Sequence, residues 1–255
     1  PALTFLTGYA EGKRLRWANL EEMPHFLGGG QTLGGKSNMM HVMICSFIAR
    51  NTPDDVRLLF IDLKFNGIEL GRYRDIPHMI NAIKDVPGGI AKTPEEGITV
   101  LRWALAEAKR RGKMFAKEDL QDLRKWNRRH PNRKLPYLVL MVDELAQLRT
   151  DMTHGKESYH LLQEIMAISR AAGLHFVTFT QSSNRRVVDE FIKINMPGRM
   201  CFSVPDAPSS ILFVNDGRAV GLMPAGRAVY RYGTDTYAVQ TPLIEASDIR
   251  EIVTN

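Results

Sequence analysis

Residues 28–38 read GGGQTLGGKSN, and no other run constrains the chain so tightly. Five of its first eight residues are glycine, a composition that helices and strands both tolerate badly. Lysine, serine and an apolar run follow at once. A surface linker would explain the glycines alone. A loop that needs a bare backbone explains the order as well. It fits G-x-x-x-x-G-K-[ST], with Gly30, Gly35, Lys36 and Ser37 in the fixed places. Four fixed positions recur by chance in roughly one chain of this size in a hundred, so the setting has to decide.

The setting is favourable. A short apolar entry, His25-Phe26-Leu27, stands ahead of the glycines, and Lys36–Arg50 is apolar almost all round. Strand, loop and helix in that order let backbone N–H groups and a helix N-terminus receive phosphate oxygens. The spacing predicts a nucleotide-binding loop over Gly30, Gln31, Thr32, Leu33, Gly34, Gly35, Lys36, Ser37 and Asn38. Lys36 would meet the β- and γ-phosphates, and the Ser37 hydroxyl would bind Mg²⁺. A second half is needed, and LPYLVLMVDELAQL (residues 135–148) supplies it. Asp143 and Glu144 follow seven apolar residues, which puts both carboxylates at the carboxyl end of a buried strand. A pair of helix N-terminal acids would not explain that position. Asp143 is then the Mg²⁺-side carboxylate, through water. Glu144 is the base that orients water towards the γ-phosphate, which favours hydrolysis over mere sensing. A later strand ends at Thr180-Gln181, where Gln181 can report loss of the same phosphate; a solvated strand end is the plainer alternative.

Short apolar runs alternate with amphipathic stretches along the rest of the chain, the pattern of an α/β fold with helices on a mostly parallel sheet. Val56–Leu63, Pro136–Val142, His175–Thr180 and Arg199–Val204 lack polar alternation, as strands buried on both faces do. Ala228–Tyr232 and Thr236–Gln240 flank GTD and predict a C-terminal β-hairpin. Thr93-Pro94-Glu95-Glu96 predicts a capping box, opening a helix with Ile98, Leu101, Leu105 and Ala108 on one face. A further helix over Tyr159–Ala172 stops before Gly173. With no repeat or linker, residues 1–255 read as one domain. Cys45 and Cys201 sit in apolar surroundings with no metal-ligand spacing, so both read as reduced core thiols. No run has the 18 or more apolar residues of a membrane span, which points to the cytoplasm. The chain opens on Pro1, which leaves room for a membrane anchor or further domains outside it. Net charge is +6. Residues 108–134 hold eleven Lys or Arg against Glu118, Asp119 and Asp122, a balance of +8, so the remainder totals −2. One basic region on a near-neutral body points to a polyanionic partner, or else to a solvated helix face.

In this order the motifs resemble the motor domain of the FtsK/SpoIIIE family of hexameric DNA translocases, over nearly the whole chain. The stretches that carry the likeness are MPHFLGGGQTLGGKS, VRLLFIDLK with Glu69-Leu70 and Ile76-Pro77-His78, LRWALAEAKRR, LPYLVLMVDELAQL, SRAAGLHFVTFTQ and FIKINMPGRMCFSV. The resemblance implies a RecA-like P-loop NTPase fold, ATP and Mg²⁺ as cofactors, and a homo-hexamer around double-stranded DNA. Two roles come from it alone. Arg170, in SRAAG, matches the arginine that reaches the neighbouring subunit's ATP, and Lys193, in FIKIN, matches a pore lysine on the DNA backbone. There are departures. The family usually has glycine at Leu33 and serine at Gly34. After Thr-Gln it commonly has an arginine that touches DNA; here Ser182-Ser183-Asn184 stand there, with Arg185 and Arg186 following as substitutes. Pro205–Ser210 lacks the basic residue that acts on the neighbour's nucleotide.

These readings predict a single motor domain that hydrolyses ATP to translocate double-stranded DNA, in segregation, conjugative transfer of a mobile element or genome packaging. ATP is its one small-molecule substrate. A secretion or coupling ATPase acting on proteins is the alternative, favoured by the missing arginine and disfavoured by the basic segment. A scaffold with little turnover is disfavoured by Glu144.

Overall fold

Apolar runs of five to seven residues become the centre of one sheet. The computed structural model describes residues 2–10, 12 and 14–254. Strands β1 (Thr4–Ala10), β2 (Arg14–Asn19), β3 (His25–Gly29), β4 (Val56–Ile61), β5 (Ile90–Ala91), β6 (Tyr137–Val142), β7 (Leu174–Thr180), β8 (Gly198–Phe202), β9 (Arg227–Tyr232) and β10 (Asp235–Gln240) form it. Their order is β2-β1-β10-β9-β8-β3-β7-β6-β4-β5. From β8 to β5 every pair is parallel, and from β8 outward to β2 every pair is antiparallel. Every residue of β3, β7 and β8 is buried, as expected for parallel strands covered on both faces.

The covering helices are α1 (Lys36–Ile48), α2 (Pro94–Lys117), α3 (Leu123–Arg129), α4 (Leu145–Thr150), α5 (Gly155–Ala172), α6 (Glu190–Asn195), α7 (Ala207–Val214) and α8 (Ala246–Thr254). One core cluster joins α1 and α8 to one face of the sheet; the other joins α2, α4, α5, α6 and α7 to the opposite face. The α/β fold with its mostly parallel sheet and C-terminal hairpin is as the sequence predicts. The capping box is present in full, with the Thr93 hydroxyl and the Glu96 carboxylate each accepting the other's backbone N–H. Gly173 ends α5 with φ 71.

Two expectations need correction. The first concerns the glycines. Gly28 and Gly29 belong to β3 and are buried, because a Cβ on either would lie 2.2 Å from the Phe179 ring or 2.3 Å from the Phe213 ring. Strand glycines here serve close packing. Second, β4 stops at Ile61 and not Leu63. The Asp62 carboxylate accepts N–H from Lys64 (3.3 Å) and Leu70 (2.8 Å), which turns the chain out of the sheet. The predicted hairpin β9–β10 is present and is extended on its outer side. β10 pairs onward with β1, and β1 with β2, an N-terminal ribbon whose mixed polar sequence gives no strand signal.

The basic segment proves heterogeneous. Arg111 is buried and donates to the carbonyls of Pro136 and Ala172 as well as to Glu107. Lys109 and Arg110 pair with Glu164 and Glu107. Part of the local charge is therefore answered by acids outside the segment.

Candidate active site

β3 delivers the phosphate loop at the carboxyl edge of the parallel strands, and Gly35, with φ 115, turns it into α1. A side chain at Gly35 would strain the backbone and bring a Cβ within 2.9 Å of Gly226 Cα. The loop is also pinned from outside. Gln31 N–H donates to Ser203 O (2.9 Å), and Gly226 N–H donates to Gly34 O (2.9 Å). Leu33 stands in the left-handed region at φ 63 with its side chain 90% exposed. The glycine that the family usually has at this place suits that backbone.

Lys36 is buried, and its ammonium donates to Gly30 O and Gln31 O, both at 2.7 Å. Burial pushes its pKa down to about 8, against the attraction of Glu144 and helped by the like charge of Lys64. β6 ends one residue before Asp143 and two before Glu144, and both carboxylates are buried. Glu144 has two duties. It caps α4 through Ala146 N–H (3.2 Å), and it accepts Gln181 N–H at 3.0 Å, tying the end of β6 to the end of β7. Gln181 in turn accepts a hydrogen bond from the Thr32 hydroxyl (2.6 Å), joining it to the phosphate loop.

The Lys64 ammonium lies 2.9 Å from Asp143 and 3.9 Å from Glu144. With Lys36, Thr32 and Gln181, Lys64 lines one cavity of about 640 Å³, a size that suits a nucleotide. Its phosphate end is formed by Thr32, Gly35, Lys36, Ser37 and Gln181. Its far wall, Pro224–Gly226 and Gln240–Leu243, comes from the two ends of the C-terminal hairpin. No motif marks those segments, and the sequence reading misses them. Asn38 belongs to the wall through its side chain, which donates to Pro242 O (2.6 Å) and accepts Ile244 N–H (2.9 Å). The residues suit a hydrated Mg²⁺. Asp143 Oδ2 is buried and accepts no hydrogen bond, with the Lys64 ammonium 2.9 Å away, and Ser37 lines the cavity that Lys64 also lines. Few protein ligands plus water and phosphate oxygens are what that ion takes.

Four other expected site residues lie elsewhere. Arg170 is exposed near the end of α5 and borders a hollow with Pro24 and His25. That is the amino edge of the strands, separated from the phosphate loop by the length of β3, roughly 16 Å at the usual rise. Lys193 on α6 borders a hollow with Pro197, Arg199 and Gly233, and pairs with Glu190 at 2.5 Å. Arg185 and Arg186 are exposed on the segment that leaves Gln181, and neither forms an ion pair among the described residues. The far end of that segment is fixed, since Arg149 bonds Val187 O (2.6 Å) and Asp189 (3.1 Å).

Residues 12–184 match the model of the FtsK/SpoIIIE family. The chain belongs to that family. The DNA translocase FtsK of Leptospira interrogans is 31% identical over 260 residues, which cover 98% of this chain and 26% of that protein. The FtsK of Clostridium tetani is 31% identical over 242 residues, 92% of this chain and 31% of that one. The chain thus spans about a quarter to a third of the length of these curated relatives. The pCW3 conjugation coupling protein TcpA, in its monomer form with ATPγS, superposes with a TM-score of 0.84 at 18% identity, covering 100% of this chain and 70% of that one. The cytoplasmic domain of the Thermomonospora curvata type VII secretion ATPase EccC gives 0.80 at 17% identity, with 100% and 31% covered. At such identities the likeness is one of fold: RecA-like, with the P-loop at the carboxyl edge of the sheet. FtsK/SpoIIIE is a family of P-loop ATPases, and the phosphate loop of such a domain is present here over residues 30–37. Among the described residues no helix is long and apolar enough to cross a membrane.

Proposed function

We propose that this chain is a single motor domain of a cytoplasmic, homo-hexameric ring that hydrolyses ATP to move double-stranded DNA. The observation that carries this is the separation of its parts. Lys36, Lys64 and Gln181 line one cavity at the carboxyl edge of the sheet, with Asp143 and Glu144 against Lys64, whereas Arg170 stands at the amino edge, out of reach of that cavity. An arginine so placed does not reach its own subunit's nucleotide, which agrees with the trans role that the FtsK resemblance gives it.

In the cavity, Pro224–Gly226 and Leu243 offer apolar contact to the nucleoside, and the loop N–H groups take the phosphate oxygens. Lys36 exchanges two carbonyl partners for phosphate oxygens. Bound Mg²⁺, held by Ser37 and through water by Asp143, would supply charge neutralisation at those oxygens. Glu144, fixed by Gln181 N–H, orients the attacking water and takes its proton. Gln181 then links the state of the γ-phosphate to the segment carrying Arg185, Arg186 and, on α6, Lys193. Those three cations grip duplex phosphates without reading bases, since a motor has to pass over any sequence. Relatives named DNA translocase support DNA over protein as the cargo.

The site reading is tested by nucleotide binding and turnover in two variants. Lys36→Ala should lose ATP binding, while Glu144→Gln should bind ATP and hold it unhydrolysed. Equal ATP affinity in Lys36→Ala and the parent chain would sink the assignment.

A further inference from the structure

Lys64 lies in the same cavity as Lys36 and Ser37, yet no motif gives it a task. Its position is built. The Asp62 carboxylate holds the Lys64 and Leu70 amides, and Gly67 closes the turn with φ 79. The ammonium so presented lies 2.9 Å from Asp143 Oδ2 and 3.9 Å from Glu144 Oε2, with the Lys64 side chain 23% exposed. Asp143 Oδ2 accepts no hydrogen bond from any group. At that separation without hydrogen-bond geometry, Lys64 holds this oxygen by charge. A contact of that kind is exchangeable. Lys64 thus lines the cavity beside Lys36 and touches both carboxylates, and any further cation at Asp143 meets Lys64 first.

We propose that Lys64 shares Asp143 with the metal: it holds the carboxylate in place, yields it to Mg²⁺, and takes up a terminal phosphate oxygen of the nucleotide instead. Lys64 is then a positioning residue for Asp143 and a ligand of the phosphate. This rests on the cavity being an ATP site. Lysine suits the exchange, being a compact charge on a flexible four-carbon stem. Arginine would grip the carboxylate with a planar fork.

The test is binding of a fluorescent ATP analogue, first in EDTA and then across a Mg²⁺ titration, for the parent chain, Lys64→Met and Lys64→Arg. Lys64→Met should lower the half-saturating Mg²⁺ by about tenfold and weaken metal-free binding by about tenfold, the equivalent of one charge-assisted contact. Lys64→Arg should instead raise the half-saturating Mg²⁺. Opposite movements are the signature, because a merely structural lysine would shift both variants the same way. Removing Lys64 leaves two carboxylates poorly compensated, so Lys64→Arg carries the test if Lys64→Met does not fold. Unchanged Mg²⁺ dependence in Lys64→Arg, or a raised requirement in a folded Lys64→Met, overturns the proposal. A parent chain that binds no analogue overturns the ATP reading instead, and this inference falls with it.

Discussion

His25 and His175 sit buried and uncharged at the amino ends of β3 and β7. His25 Nδ1 accepts Phe176 N–H (3.0 Å), which leaves Nε2–H for the Ser169 hydroxyl (3.3 Å); His175 Nδ1–H donates to Pro24 O (2.9 Å). Burial pushes His25 down to about 3 and His175 to about 4, with Arg170 adding to both. The sign follows from linkage. Above the unfolded value near 6.5 neither state carries the protons, and stability is full. Below it the unfolded chain takes up protons that the folded one refuses, until pH reaches the folded values. Urea unfolding at pH 5 should therefore give a free energy about 4 kcal/mol below that at pH 7. His175→Gln, which keeps a donor for Pro24, should remove about half of the difference; an unchanged difference would contradict the assignment. Such burial is not legible in the sequence, where His25 reads only as an apolar strand's first residue. Lys64 escapes for a similar reason. Its role depends on where the Asp62 turn points, and spacing says nothing of that.

Elements were more legible than their uses. Strands buried on both faces announce themselves by unbroken apolar runs, and α2 by its capping box. The ribbon β1–β2 does not, since TFLTGYA and RLRWAN mix polar and apolar residues along an antiparallel margin. Nor does the wall of the cavity, which consists of backbone turns at either end of the hairpin. The glycines teach the same lesson with a sign attached. Gly29 lies in β3 against Phe213, whereas Gly112 lies in α2 with nothing within 4 Å of a Cβ. Gly29→Ala should overpack the core and cost about 1–3 kcal/mol. Gly112→Ala should stabilise by roughly 1 kcal/mol through helix propensity alone. Thermal unfolding of the two variants checks both signs, and a stabilised Gly29→Ala would contradict the packing argument.

At the scale of the whole molecule, the nucleotide cavity and Arg170 occupy opposite edges of one sheet, and the proposed ring would bring the Arg170 of one copy to the cavity of the next. Loss of an arginine supplied in trans is worth about 10³–10⁵ in rate in related phosphoryl-transfer systems. Arg170→Ala should bind ATP normally and hydrolyse it poorly, and mixing it with Lys36→Ala should restore part of the activity. A mixture that stays inactive at concentrations supporting assembly would contradict the composite site. None of Lys193, Arg185 and Arg186 lines the nucleotide cavity, and their proposed task is on the cargo. The central claim is that this ATPase is driven by duplex DNA. Its most direct test is the ATP hydrolysis rate of the 255-residue chain with and without linear duplexes of unrelated sequence. The expected result is stimulation by each duplex to a similar degree, falling as salt rises and lost on replacing Lys193, Arg185 and Arg186 by alanine. A rate that no duplex alters, in an assembled and ATP-hydrolysing chain, would contradict the account and move the cargo from DNA to protein.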